Sequence, residues 1–178
     1  MKKVLFSIFV LFFSQLYFGQ KIFWDENRKL TWDDFQGKEN LSGNPRTAAF
    51  AYCGIQYQVT RSTNPKAPVS IDVKSSFVVD KSWKRSDTLS LDILKHEQNH
   101  FDISEIYVRK IRKFIDEKIK NSGDYDHYFK RGYEKLYAEY RNFQDTYDKE
   151  THNSINSEKQ KFYNEWVSQQ LHELKQYQ

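Results

Sequence analysis

Apolar and polar positions change period along this chain, and the changes mark out its elements. Phe50 and Tyr52 alternate with polar or small neighbours, and Ile55, Tyr57 and Val59 continue in the opposite phase. Gly54 stands between the two phases, so the pattern predicts a strand carrying a bulge there. "STNPKAP" (62–68) is a turn, and "VSIDVKSSFVV" (69–79) alternates again through Val69, Ile71 and Val73. The two runs predict an antiparallel pair. "KLTWDDFQGKENLSGNP" (29–45) upstream is rich in loop residues. From Asp87 the period becomes helical: Leu91, Leu94, Phe101, Ile106, Ile111, Phe114 and Ile115 recur at helix-like spacing. Asp87 or Thr88 is the expected cap, and "NSGD" ends this helix near Asn121. A second helix is expected over Asp124 to Asp148. A third opens at Ser157, with Gln160 placed as in a capping box, and carries Phe162, Trp166, Leu171 and Leu174. The predicted fold class is α+β: a small N-terminal antiparallel sheet, a long helix, and a C-terminal helical hairpin.

Residues 1–20 differ from the rest. Lys2 and Lys3 precede a run, Val4 to Phe13, that is apolar apart from Ser7, and small and polar residues follow. This predicts a signal peptide cut near Gly19 or Gln20, leaving 21–178 as a single domain. The run is shorter than the ~20 residues that span a bilayer, so no stable membrane span is expected after cleavage. The expected location is periplasmic or extracellular. Residues 1–20 hold two Lys and no acid, so their removal lowers the formal charge from +4 to +2. That excess is too small to predict a nucleic-acid partner. Cys53 is the only cysteine, so no intrachain disulfide can form, and packing must carry the stability.

Candidate chemistry enters at "KHEQNHFD" (95–102). His96-Glu97-Gln98-Asn99-His100 matches H-E-x-x-H, early in the strongest predicted helix. Imidazoles four residues apart share a helix face and can reach one Zn²⁺. Glu97 is then placed as the general base for a water attacking a peptide carbonyl. A catalytic zinc takes a third protein ligand and keeps one position open. A third His six residues after His100 is excluded, because that residue is Ile106. His152, in the break after the second helix, is the preferred third ligand, with Glu134 and Glu139 as alternatives. Asp102 and Asp148 are candidate carboxylates for orienting an imidazole. Tyr147 is a candidate donor to a tetrahedral oxyanion. Glu105 is expected to pair with Arg109 at i,i+4. An extended peptide or protein substrate would pair with an exposed strand edge, expected at Ser75 to Val79.

"LTWDDFQG" (30–37), "HEQNHFDISEIY" (96–107) and "YDKET" (147–151) followed by His152 resemble the bacterial family called domain of unknown function 922, over nearly all of 21–178. That family is regarded as predicted secreted zinc-dependent proteases of zincin type. The resemblance implies His96 and His100 as ligands and Glu97 as base. The family's late histidine stands two residues after the Thr; here Asn153 holds that place. Two other readings stay open: a non-catalytic zinc-containing envelope binding protein, and an amide hydrolase acting on cell-wall peptides.

Overall fold

The computed structural model describes residues 19–39, 47–86 and 89–178. Most of the expected signal peptide and the expected cap residues Asp87 and Thr88 lie outside them. Among the described residues no helix is long and apolar enough to cross a membrane.

Five strands come first: β1 (Lys21–Phe23), β2 (Ala49–Phe50), β3 (Cys53–Thr60), β4 (Ser70–Val78) and β5 (Trp83–Lys84). They form an antiparallel sheet in the order β1-β4-β3 and a small antiparallel β2-β5 pair. β3 and β4 pair without interruption from Cys53↔Phe77 to Thr60↔Ser70, so Gly54 carries no bulge. The phase change comes from a break at Ala51–Tyr52. There the Ala51 N–H donates to the Glu97 carboxylate at 2.7 Å and the Tyr52 N–H to Ser82 Oγ at 2.9 Å. The expected edge at Ser75–Val79 is also corrected. β4 is the central strand, and Ser75, Ser76, Phe77, Val78 and Val79 are all buried.

Helix α1 (Leu91–Lys118) starts at Ser90, whose hydroxyl accepts from Ile93 N–H. A single turn α2 (Ser122–Asp124), a π-helical turn (Tyr125–Phe129) and α3 (Lys130–Thr151) follow as one continuous helical stretch. α4 (Ser157–Glu173) is capped by Asn156, whose side chain accepts from Lys159 N–H, rather than by Ser157. Gln160 is buried instead of closing a capping box.

α1 is a middle layer. Phe101 packs with Phe77 and Phe35 on the sheet side, and Ile103, Ile106 and Tyr107 pack with Tyr140, Tyr147, Tyr163 and Val167 of α3 and α4. Each fully buried aliphatic or aromatic side chain contributes about 1.5–3 kcal/mol. The helix also buries His96, Glu97, Gln98, Asn99, Asp102, Ser104, Glu105 and Arg109. The Glu105–Arg109 pair forms at 3.0 Å, and both side chains are buried.

α1 and α3 approach closely at Gly132, where an added Cβ would collide with the Phe114 ring. Gly132→Ala would ordinarily favour a helix by about 1 kcal/mol. Here overpacking is expected to reverse the sign and cost roughly 1–3 kcal/mol. A fall in the urea midpoint at unchanged m-value checks this; a rise would show that the ring has room to move.

Candidate metal centre

His96 and His100 lie on consecutive turns of α1, so helix geometry alone brings their rings together. The ring centroids are 4.8 Å apart, and Nε2 of one lies 3.2 Å from Nε2 of the other. α3 supplies the third group. Gln144, Tyr147, Asp148 and Thr151 recur at i, i+3, i+4 and i+7, one helical face, and that face meets α1. Asp148 Oδ1 lies 3.1 Å from His96 Nε2 and 2.8 Å from His100 Nε2. His96, His100 and Asp148 form a cluster able to hold a metal ion.

The proton positions follow from the surrounding hydrogen bonds. Gln144 donates from Nε2 to the His100 carbonyl at 2.9 Å, which turns its Oε1 toward His100 Nδ1 at 2.6 Å. Gln160 donates from Nε2 to Tyr147 Oη at 2.8 Å and to Asn164 Oδ1 at 2.9 Å, leaving Oε1 against His96 Nδ1 at 3.0 Å. Both amide oxygens therefore hold the proton on Nδ1, and both Nε2 lone pairs face each other and a carboxylate oxygen. Three acceptors at such distances require a cation between them, either a proton or a metal. A tetrahedral site with Zn–N near 2.0–2.1 Å places neighbouring ligand atoms roughly 3.3 Å apart. The separations of 3.2, 3.1 and 2.8 Å are close to that requirement.

Electrostatics agree with the geometry. Burial opposes charge on His100, but the neighbouring Asp148 carboxylate outweighs it and lifts the imidazole to about 9. Burial likewise opposes charge on Asp148, yet the two imidazoles hold it well below the usual carboxylate range. Burial pushes the Glu97 carboxyl up, against the pull of His100, His96 and the Ala51 N–H. Burial, with Glu97 and Asp102 nearby, pushes the Cys53 thiol up as well, which makes it a poor nucleophile.

The cluster sits in a cleft of about 490 Å³. α1 forms the floor through Ile93, His96, Glu97 and His100. The segment 47–56 forms one wall, and α3 forms the other through Tyr137, Tyr140, Arg141, Gln144, Asp145 and Asp148.

Other expected site residues fall elsewhere. His152 is exposed, ends α3 in a left-handed conformation (φ 49°), and is outside the cluster; Asn153, not His152, lines the cleft. Glu134 and Glu139 are exposed and face Lys130 and Lys135 on their own helix. Asp102 is buried, but its Oδ1 accepts from Trp24 Nε1 at 2.7 Å and Gln98 Nε2 at 2.8 Å rather than orienting an imidazole. Asp148 touches both imidazoles directly. Tyr147 is fully buried. Its ring stacks on His96 at 4.6 Å and meets His100 edge-on at 4.9 Å, while its hydroxyl is occupied by Gln160 and Asn99. It therefore props the imidazoles and does not reach an oxyanion. Sequence reasoning passed over Gln144 and Gln160 as partners of the imidazoles. For Gln144 the available signal was the shared face of α3; for Gln160 no local pattern points across to α1.

A family model matches this chain. The model described as "Bacterial protein of unknown function (DUF922)" matches residues 48–155, well over half of the chain, and the chain belongs to that family. The match leaves Leu30 to Gly37 outside, although the expected resemblance included them. No curated protein and no solved structure matches.

The Tyr147 contacts set an order for two substitutions. Tyr147→Phe keeps the ring but takes the hydroxyl acceptor from one amide N–H each of Gln160 and Asn99, at a cost of about 1–3 kcal/mol. Tyr147→Ala removes the prop and should cost about 3–5 kcal/mol. Chemical denaturation of both variants measures this, and equal losses would mean the ring contributes nothing.

Proposed function

We propose that this chain is an exported zinc-dependent peptidase. The observation that carries the reading is the convergence of His96 Nε2, His100 Nε2 and Asp148 Oδ1 beside a buried glutamate on the floor of an open cleft. Two imidazoles and one carboxylate are a donor set suited to a catalytic zinc, which keeps a position free. When bound, zinc would supply a Lewis acid that makes water nucleophilic near neutral pH.

The chain's own groups do the remainder. Gln144 and Gln160 hold the imidazoles with Nε2 inward. The Ala51 N–H pins one oxygen of Glu97, so the carboxylate stays at the cleft floor. From there Glu97 takes a proton from the attacking water and returns it to the leaving amine. Burial raises its proton affinity above that of a surface glutamate, which suits a base working near neutral pH.

The wall formed by 47–56 suits an extended peptide. The Ser75 carbonyl accepts from Trp24 N–H on the β1 side of β4. Alternation along the ladder then turns Ser76, with its partner Gly54, inward, and sends the main-chain groups of Cys53, Ile55 and Tyr57 outward. The Cys53 carbonyl accepts from Tyr140 Oη; Ile55, further along the cleft wall, is placed to pair with substrate. This edge replaces the one expected at Ser75–Val79.

The test combines metal content with turnover. The purified chain should hold one equivalent of zinc, as should His152→Ala. Asp148→Ala should bind zinc more than roughly a hundredfold more weakly, and Gln144→Leu roughly ten- to a hundredfold more weakly. Glu97→Gln should keep its zinc and lose about 10²–10⁴ in kcat on a peptide substrate. Elemental analysis, metal titration and a peptide-cleavage assay read these outcomes. Full zinc in Asp148→Ala would remove the proposed ligand, and unchanged turnover in Glu97→Gln would remove the base. Zinc without turnover on any peptide would leave a zinc-containing binding protein.

A further inference from the structure

The cleft extends along α3 beyond the cluster. Arg141 lies seven residues before Asp148, on the same side of the helix as Gln144, and lines that extension with Tyr137 and Tyr140. Among the described residues, Arg28, Arg61, Arg85, Arg109 and Arg112 each have a carboxylate within ion-pair distance. Arg131 and Arg141 have none, and of these two only Arg141 lines the cleft. Asp145, one turn away, also lines the cleft but is not paired with it. Lys21, the other cation on the cleft wall, donates to Gln56 Oε1 at 2.8 Å. Arg141, exposed and lining the cleft, thus has no carboxylate of the described residues within ion-pair distance, and a guanidinium fork matches a carboxylate in two parallel hydrogen bonds.

Resting on the peptidase reading, the geometry points to Arg141 as the anchor for a substrate carboxylate. Seven residues of helix correspond to about 10 Å, and an extended chain advances about 3.3 Å per residue. The carboxylate therefore sits roughly three residues from the bond that is cut. It can be the terminal carboxylate of a short peptide or the side chain of an Asp or Glu within a longer one. The first source gives removal of short C-terminal pieces, and the second gives endopeptidase selectivity for acidic stretches.

Four pools of random decapeptides separate these cases: free acid or amide at the C-terminus, with or without Asp and Glu. The zinc-loaded full chain, Arg141→Gln and the control Arg131→Gln are compared by mass spectrometry of the products and by kcat/KM. The carboxylate-bearing pools should be preferred roughly tenfold, carried mainly by KM. The preference should disappear in Arg141→Gln and persist in Arg131→Gln. A preference for terminal acid or for acidic side chains identifies the source. If peptides are cleaved but show no such preference, or one that survives in Arg141→Gln, the anchor is overturned while the peptidase reading stands. If no pool is cleaved, the peptidase reading fails, and retention of the same pools on the immobilised zinc-loaded chain decides the anchor. Retention that needs both the carboxylate and Arg141 supports it; retention indifferent to either, or none, overturns it.

Discussion

Helix α1 is buried on the sheet side and on the helix side, yet it carries a file of polar side chains through both interfaces. A buried polar group without a partner costs about 1–3 kcal/mol, so every layer packed against α1 must offer a complementary group. Gln98 Oε1 accepts from the Leu30 N–H, and Asp102 accepts from the Trp24 indole, which fastens the N-terminal segment. Ser104 meets Ser75 on β4. Arg109 donates to the Leu171 carbonyl of α4, and Arg112 to the carbonyls of Val73 and Tyr177. Glu105 receives both arginines. Buried ion pairs add little net stability, but losing one partner is costly, so these contacts fix how the layers register. Asn99 Oδ1 is the exception, buried with no partner among the described residues.

The same constraint organises the site. The i,i+4 spacing puts two imidazoles on one face but leaves each ring free to rotate and to choose a tautomer. Those freedoms are removed from outside α1. Gln144 clamps the His100 turn at both ring and carbonyl. Gln160 and the Tyr147 ring hold His96 from two sides. With both Nδ1 positions occupied, the remaining lone pairs converge, and Asp148 completes a pocket of acceptors that is unfavourable without a cation.

How much of this the sequence discloses depends on how local each feature is. H-E-x-x-H on a helix is legible because its geometry is confined to five residues. Asp148 was legible only as a carboxylate near an imidazole. Its direct contact follows from the face shared by Gln144, Tyr147, Asp148 and Thr151, a helical period running to Thr151 where the helix was expected to end at Asp148. The central place of β4 was available in "SSFVV", a run without a charged residue that suits burial on both faces. The break at Ala51–Tyr52 was not, because the side chains that take those two N–H groups lie 46 and 30 residues away. The role of Leu30 to Gly37 was equally hidden. Its conspicuous residues serve a clamp, with Phe35 edge-on to Phe77 and Leu30 held by Gln98, and not the cleft.

The end of α3 shows why His152 is not where its chemistry suggested. His152, Asn153 and Ser154 have φ of 49°, 52° and 75°, three consecutive non-glycine residues in the left-handed region. Each costs roughly 1–3 kcal/mol, and such runs persist only where the surroundings over-determine them; His and Asn are among the residues that accept the conformation most readily. The return is a very short reversal. The Asn153 N–H closes on the Asp148 carbonyl and the Asn156 N–H on the Thr151 carbonyl, and Asn156 then caps α4. One turn into α4 stands Gln160, against the same imidazole that Asp148 approaches from α3. A looser link would let α4 drift and free the His96 ring. His152 is therefore part of the turn that sets the distance between Asp148 and Gln160, and it is the carboxylate one turn earlier that stands beside the imidazoles.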